Sequence, residues 1–134
     1  MRTEIARVLQ ERADAIVSDS VAVLPYSGPH PLDTGYCERL GRRVLQLISA
    51  GLEGRLAVES GNLGDVQRLV VDRGLPMQQF FDFVYVMERT MLGEIAMNGI
   101  IGATSEAWGG VTQVVRKASF DVMAAYSERA HHDN

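Results

Sequence analysis

The sequence predicts an all-α domain built as a single bundle of about five helices. Apolar residues recur at helical spacing in five separate stretches, and no stretch alternates apolar with polar residues as a half-buried strand would. Gly, Pro or a capping residue stands at the junctions between them. At 134 residues the chain is one domain's worth, long enough to bury one core without disulfides or metals.

The first helix is expected from Thr3, a candidate N-cap, to Leu24, because Ile5, Val8, Leu9, Ala13, Ile16, Val17, Ser20 and Val23 share one face. Pro25 stops it, and the three prolines and one glycine among residues 25–32 make that segment a connecting loop. Asp33 or Thr34 caps the second helix, whose inward face is Tyr36, Cys37, Leu40, Val44, Leu47 and Ile48, with Gly41 permitting a close helix approach. It ends near Gly51 to Gly54, and residues 55–58 are too few to assign. A third helix starts at Asn62 with Asp65 placed as in a capping box, buries Val66, Leu69 and Val70, and ends at Gly74.

The fourth helix has Pro76 in its first turn and ends near Asn98 and Gly99. Plotted at about 100° per residue, Met77, Phe80, Phe81, Val84, Met91, Leu92 and Ile95 form its inward stripe, and Glu88 falls near the centre. Phe83, Val86 and Met97 point off that stripe, so this helix is either covered on two sides or meets a second subunit. The fifth helix, capped by Thr104 or Ser105, turns Trp108, Val111, Val115, Ala118, Val122, Ala125 and Tyr126 inward and frays over residues 130–134. Phe120, Met123 and Ala124 make a smaller second patch on it.

With 46% hydrophobic and 22% charged residues the composition is globular, and the apolar runs are broken well short of a membrane span. Met1-Arg2-Thr3-Glu4 leads into an amphipathic pattern unlike a signal or transit peptide, so a cytoplasmic location is expected. Net charge is −4 and the basic residues form no stripe with interleaved aromatics, which argues against a nucleic-acid partner. The local exception is Arg39, Arg42 and Arg43, a solvated helix flank or a receiver for an anionic ligand or partner. Cys37, the single cysteine, is expected to be a small buried hydrophobe.

Catalytic and metal chemistry find little support. His30 lies between prolines and His131 and His132 lie at the end of the chain, so no three ligands share a face, and neither haem nor any other cofactor is expected. Glu88 is the residue that asks for an explanation, since an unpaired buried carboxylate costs several kcal/mol. Two readings compete. In one, Glu88 forms an ion pair with Arg43, on the border of the second helix's apolar face. In the other, it lines a ligand pocket with Tyr36, Phe81, Tyr85 and Trp108. Phe83, Val86, Phe120 and Met123 are the residues assigned to a dimer contact, and the expected function is non-enzymatic.

The order of features adds a resemblance. An opening amphipathic helix, a Pro-rich loop, the run Tyr36-Cys37-Glu38-Arg39-Leu40-Gly41-Arg42-Arg43-Val44-Leu45 and above all the run Asp72-Arg73-Gly74-Leu75-Pro76-Met77-Gln78-Gln79-Phe80-Phe81-Asp82-Phe83 resemble the helical N-terminal domain of the stressosome RsbR/RsbRD co-antagonists. Similar domains precede some bacterial histidine kinases. The resemblance implies a sensory or regulatory domain, globin-like without haem and usually dimeric, that signals through its last helix to a downstream domain or protein. It supplies no catalytic residues. The sequence stops soon after the fifth helix without a phosphorylatable output domain, which implies either a piece of a longer protein or a stand-alone version acting on a partner protein.

Overall fold

The computed structural model describes residues 2–22, 32–54, 61–97 and 105–133, with side chains described from residue 4 and, in the last helix, over 109–127. The Pro-rich loop, residues 55–58, the Thr104 cap and the side chains of Val23, His30 and Trp108 lie outside the described residues. Within them the chain is all-helical, with six helices where about five were expected: α1 (Arg2–Glu11), α2 (Ala13–Val21), α3 (Thr34–Leu52), α4 (Asn62–Arg73), α5 (Met77–Met97) and α6 (Ser105–Asp133).

The extra helix arises because the first expected helix is divided at Arg12, which leaves helical geometry at φ −104° and ψ 17°. The hydrogen-bond ladder still runs through the break, from Arg12 N–H to the Val8 carbonyl and from Ile16 N–H to the Arg12 carbonyl, both at 2.9 Å. The inward face keeps its spacing across it, with Ile5, Ala6, Leu9, Ile16, Val17 and Val21 buried. At the other end of the chain α6 stays helical to Asp133, beyond the point where fraying was expected.

Local chemistry sets several ends where the sequence places them. The Asp33 carboxylate accepts from Tyr36 N–H at 3.0 Å and caps α3. Gly74, at φ 70°, closes α4, with Gly74 N–H bonded to the Val71 carbonyl and Leu75 N–H to the Val70 carbonyl. That double bond pattern is a Schellman motif, and the buried Leu75 supplies its apolar contact. Asp65 makes no capping box: Gly61 precedes α4 without a side-chain cap, and the Asp65 carboxylate pairs with Arg68 and Arg43 instead.

The α1–α2 pair, α3, α6 and α5 contact one another in that cyclic order as a four-membered bundle, and α4 packs against α3 and α6. Small residues bring the helices together. A Cβ on Gly41 would stand 3.3 Å from Val17 Cγ1 and 3.4 Å from Phe83 Cζ, and one on Gly51 would stand 2.7 Å from Val114 Cγ1. Two tyrosine hydroxyls tie the layers: Tyr36 donates to the Leu69 carbonyl and Tyr126 to the Leu75 carbonyl, each at 2.8 Å. Burial pushes both phenols up to about 12.

The buried face of α5 consists of Gln79, Phe80, Phe83, Val84, Met87, Met91, Glu94 and Ile95. It is rotated by roughly 60°, at about 100° per residue, from the stripe read in the sequence. Phe83 is 1% exposed, so its assignment to a dimer contact is corrected: it fills the space that Gly41 leaves between α3 and α5. The hydropathy of a helix that is apolar on most sides does not fix its rotation. The closest fit to its neighbours does.

Candidate functional site

The same rotation relocates the acid of α5. The carboxylate buried in the core is Glu94, 8% exposed, which accepts from Arg12 Nε at 3.0 Å. Arg12 stands at the α1–α2 break, so this ion pair joins the break to α5. Glu88 is only half-buried, and its Oε1 accepts a 3.0 Å hydrogen bond from the Thr112 hydroxyl of α6. The expected Glu88–Arg43 pair is therefore corrected. Arg43 is on the far side of the bundle, with its guanidinium 3.7 Å from Asp65 and donating to Gln46 at 3.2 Å.

Glu88 borders a groove of about 420 Å³ between α5 and α6. Since Glu88 meets Thr112 and Tyr126 meets Leu75, the two helices run antiparallel. The buried Val84 and Val115 form the floor. Phe81 and Tyr85 rise from α5, and Ser119, Phe120 and Met123 from α6. Tyr85 is 60% and Phe120 68% exposed, a large apolar surface to leave in water. The Arg89 guanidinium lies 5.8 Å from the Tyr85 ring centroid, and Arg116 borders the groove with no ion pair among the described residues.

Residues predicted for two different roles thus share one face. Phe81, Tyr85 and Glu88, expected in a ligand pocket, stand with Phe120 and Met123, expected at a dimer contact. Val86 is half-buried on the neighbouring flank, where its carbonyl accepts from the Thr90 hydroxyl at 3.0 Å. Tyr36 is not part of the groove, because its ring is buried between α3 and α4 with Arg73 over one face at 5.8 Å. Sequence reasoning missed Thr112, Arg116 and Ser119. Their spacing on α6, in register with Phe120 and Met123, was the available signal.

Comparison with known proteins finds no matching family model, no matching curated protein and no matching solved structure. Among the described residues no helix is long and apolar enough to cross a membrane, and no three His, Cys, Asp or Glu side chains gather to hold a metal.

Proposed function

We propose that the chain is a non-enzymatic, cytoplasmic regulatory domain of bacterial signal transduction, which works by pairing with a second copy through the α5–α6 groove and passing that state to a downstream domain or protein. The observation that carries this reading is the exposed apolar face with a carboxylate, Glu88, and a guanidinium, Arg116, at its border. A patch bearing charges of both signs can be self-complementary under a two-fold axis, with Glu88 of each copy meeting Arg116 of the other. The dimensions suit it. The 21 residues of α5 span about 32 Å, and two helices side by side are roughly 20 Å wide. Such a face approaches the ~800 Å² per partner of a stable interface. The resemblance to stressosome sensor domains supports the signalling role.

A small-molecule pocket at the same groove is the second reading, favoured by the convergence of Phe81, Tyr85 and Glu88. It lost one of its expected aromatic contributors when Tyr36 proved to lie elsewhere. Sedimentation equilibrium tests the pairing. We expect a dimer at tens of micromolar, a monomer for Phe120→Glu, weakened pairing for Glu88→Arg or Arg116→Glu, and recovery in the double variant. A clean monomer for the unmodified protein rejects the pairing.

A further inference from the structure

A second concave surface runs along the outer side of α3, and it shares no residue with the α5–α6 groove. Two hollows, of about 440 and 490 Å³, have Arg42 and Gln46 in common and so form one trough. Its two ends differ in chemistry. One is lined by Gln10, Gln46 and Ser49, and the other by Arg39, Arg42, Arg43 and Arg68, faced by Asp65 and Asp72.

Ser49 is the informative residue. Elsewhere on these helices Ser20, Thr90 and Ser119 return their hydroxyls to the carbonyl four residues back, at 2.7, 3.0 and 2.9 Å. Ser49 is 3% exposed, lines the trough, and its hydroxyl has no hydrogen-bond partner among the described residues. A buried hydroxyl kept without a bond is a cost to folding unless something else engages it. Beside it, Gln10 donates to Glu53 at 2.9 Å and Gln46 accepts from Arg43 at 3.2 Å. Among the described residues the Gln10 amide oxygen and the Gln46 amide nitrogen make no further side-chain hydrogen bond.

At the basic end Asp65 is shared by Arg43 and Arg68. Arg42 reaches Asp14 at 2.8 Å, but that carboxylate is so exposed that the pair is easily exchanged. Arg39 has no carboxylate partner among the described residues. Arg39, Arg42, Arg43 and Arg68 outnumber Asp14, Asp65 and Asp72 by one, and guanidinium groups favour a planar or tetrahedral oxyanion, which they bind by paired hydrogen bonds.

We propose that this trough binds a small organic oxyanion with a hydroxylated body, its phosphate or carboxylate held by Arg39 and Arg42 and its hydroxyls by Ser49, Gln46 and Gln10. Each hollow is within the range of metabolite sites. The probes are ribose 5-phosphate and gluconate, with ribose and inorganic phosphate supplying the body and the charge separately. Side-chain amide and Arg Nε–H resonances of the intact chain report binding.

Saturable shifts at Gln10, Gln46 and Arg42 are expected with at least one of the two oxyanion probes. Ribose 5-phosphate alone assigns a phosphate, and gluconate alone a carboxylate. Ribose and inorganic phosphate should each bind about tenfold more weakly, the effect of losing one anchoring set. Ser49→Ala and Arg42→Gln should each weaken binding by about tenfold. Ser49→Ala should leave the melting temperature unchanged or raised, because it removes a hydroxyl that the fold leaves unbonded. The proposal is overturned if neither probe saturates below about 10 mM, a weakness of the order of non-specific contact. It is equally overturned if inorganic phosphate alone reproduces shifts that Ser49→Ala leaves untouched, which is adventitious ion binding, or if Ser49→Ala destabilises the fold.

Discussion

Replacing Phe83 and Phe120 separately by alanine distinguishes core from contact surface on the two helices that form the groove. Phe83 is 1% exposed and its ring reaches across the bundle to Gly41 of α3 beside Val17, so its removal opens a cavity walled by helix backbone and the β-branched Val17. Such walls collapse poorly. Buried Phe→Ala changes cost 3–5 kcal/mol, and about 4 kcal/mol is expected here. That is a large part of the ~5–15 kcal/mol that holds a domain folded. With a urea dependence of about 1.5 kcal/mol per molar, the unfolding midpoint should fall by roughly 2–3 M at unchanged slope. Phe120 is 68% exposed, so its loss should alter the stability of the monomer by no more than about 0.5 kcal/mol. It should, however, abolish the rise of the midpoint with protein concentration that the proposed pairing predicts. Urea unfolding at two protein concentrations measures both effects. A Phe83→Ala midpoint within about 0.5 M of the unmodified protein, less than a quarter of the worked shift, refutes the packing assigned to α5.

Two further outcomes follow from the same contacts. Gly93→Ala, where an added Cβ meets nothing within 4 Å, should gain about 0.5–1 kcal/mol of helix propensity and raise the melting temperature by about 3 °C. Gly51→Ala gains the same propensity but sets its Cβ 2.7 Å from a rotamer-restricted Val114, so a net loss of about 1 kcal/mol is expected. Thermal melts of the pair decide the matter, and equal shifts of one sign contradict the close α3–α6 approach. The tyrosines give a pH dependence. Tyr36 and Tyr126 have phenols raised by burial from 10.0 to about 12, so the folded state holds those protons more tightly than the unfolded chain. Their contribution is complete below the unfolded value and is lost as pH rises from 10.0 through about 12. Tyr36→Phe with Tyr126→Phe should cost about 1 kcal/mol per hydroxyl at neutral pH and flatten that alkaline loss, and an unchanged alkaline limb counts against the assignment.

What was legible in the sequence was chemistry that acts within a few residues. Asp33 caps its helix because its carboxylate reaches an N–H three residues on, and Gly74 ends another because φ 70° costs glycine little. The inward face of α3 was also readable, since Glu38, Arg39, Arg42 and Arg43 mark its opposite side. The break at Arg12 was not. No glycine or proline marks it, and the ladder bonds across it persist. A deviation of dihedrals at a residue of good helix propensity leaves no local signature.

The rotation of α5 was the other illegible quantity, and most of the candidate site depends on it. Glu88 and Glu94 are six residues apart on one helix, and a turn of roughly 60° about its axis, at about 100° per residue, decides which of them faces the core. The reasoning that a buried acid on this helix needs an arginine holds for Glu94 and Arg12 rather than for Glu88 and Arg43. The same turn carries Phe83 inward, which removes it from any contact surface, and leaves Tyr85 outside beside Phe120. Tyr85 and Glu88, expected in a pocket, and Phe83, expected at a contact, all depend on that single angle. Their fates are therefore linked. If Phe83 were at the surface, Glu88 would return to the core and the paired charges on which the proposed dimer rests would no longer border an open groove.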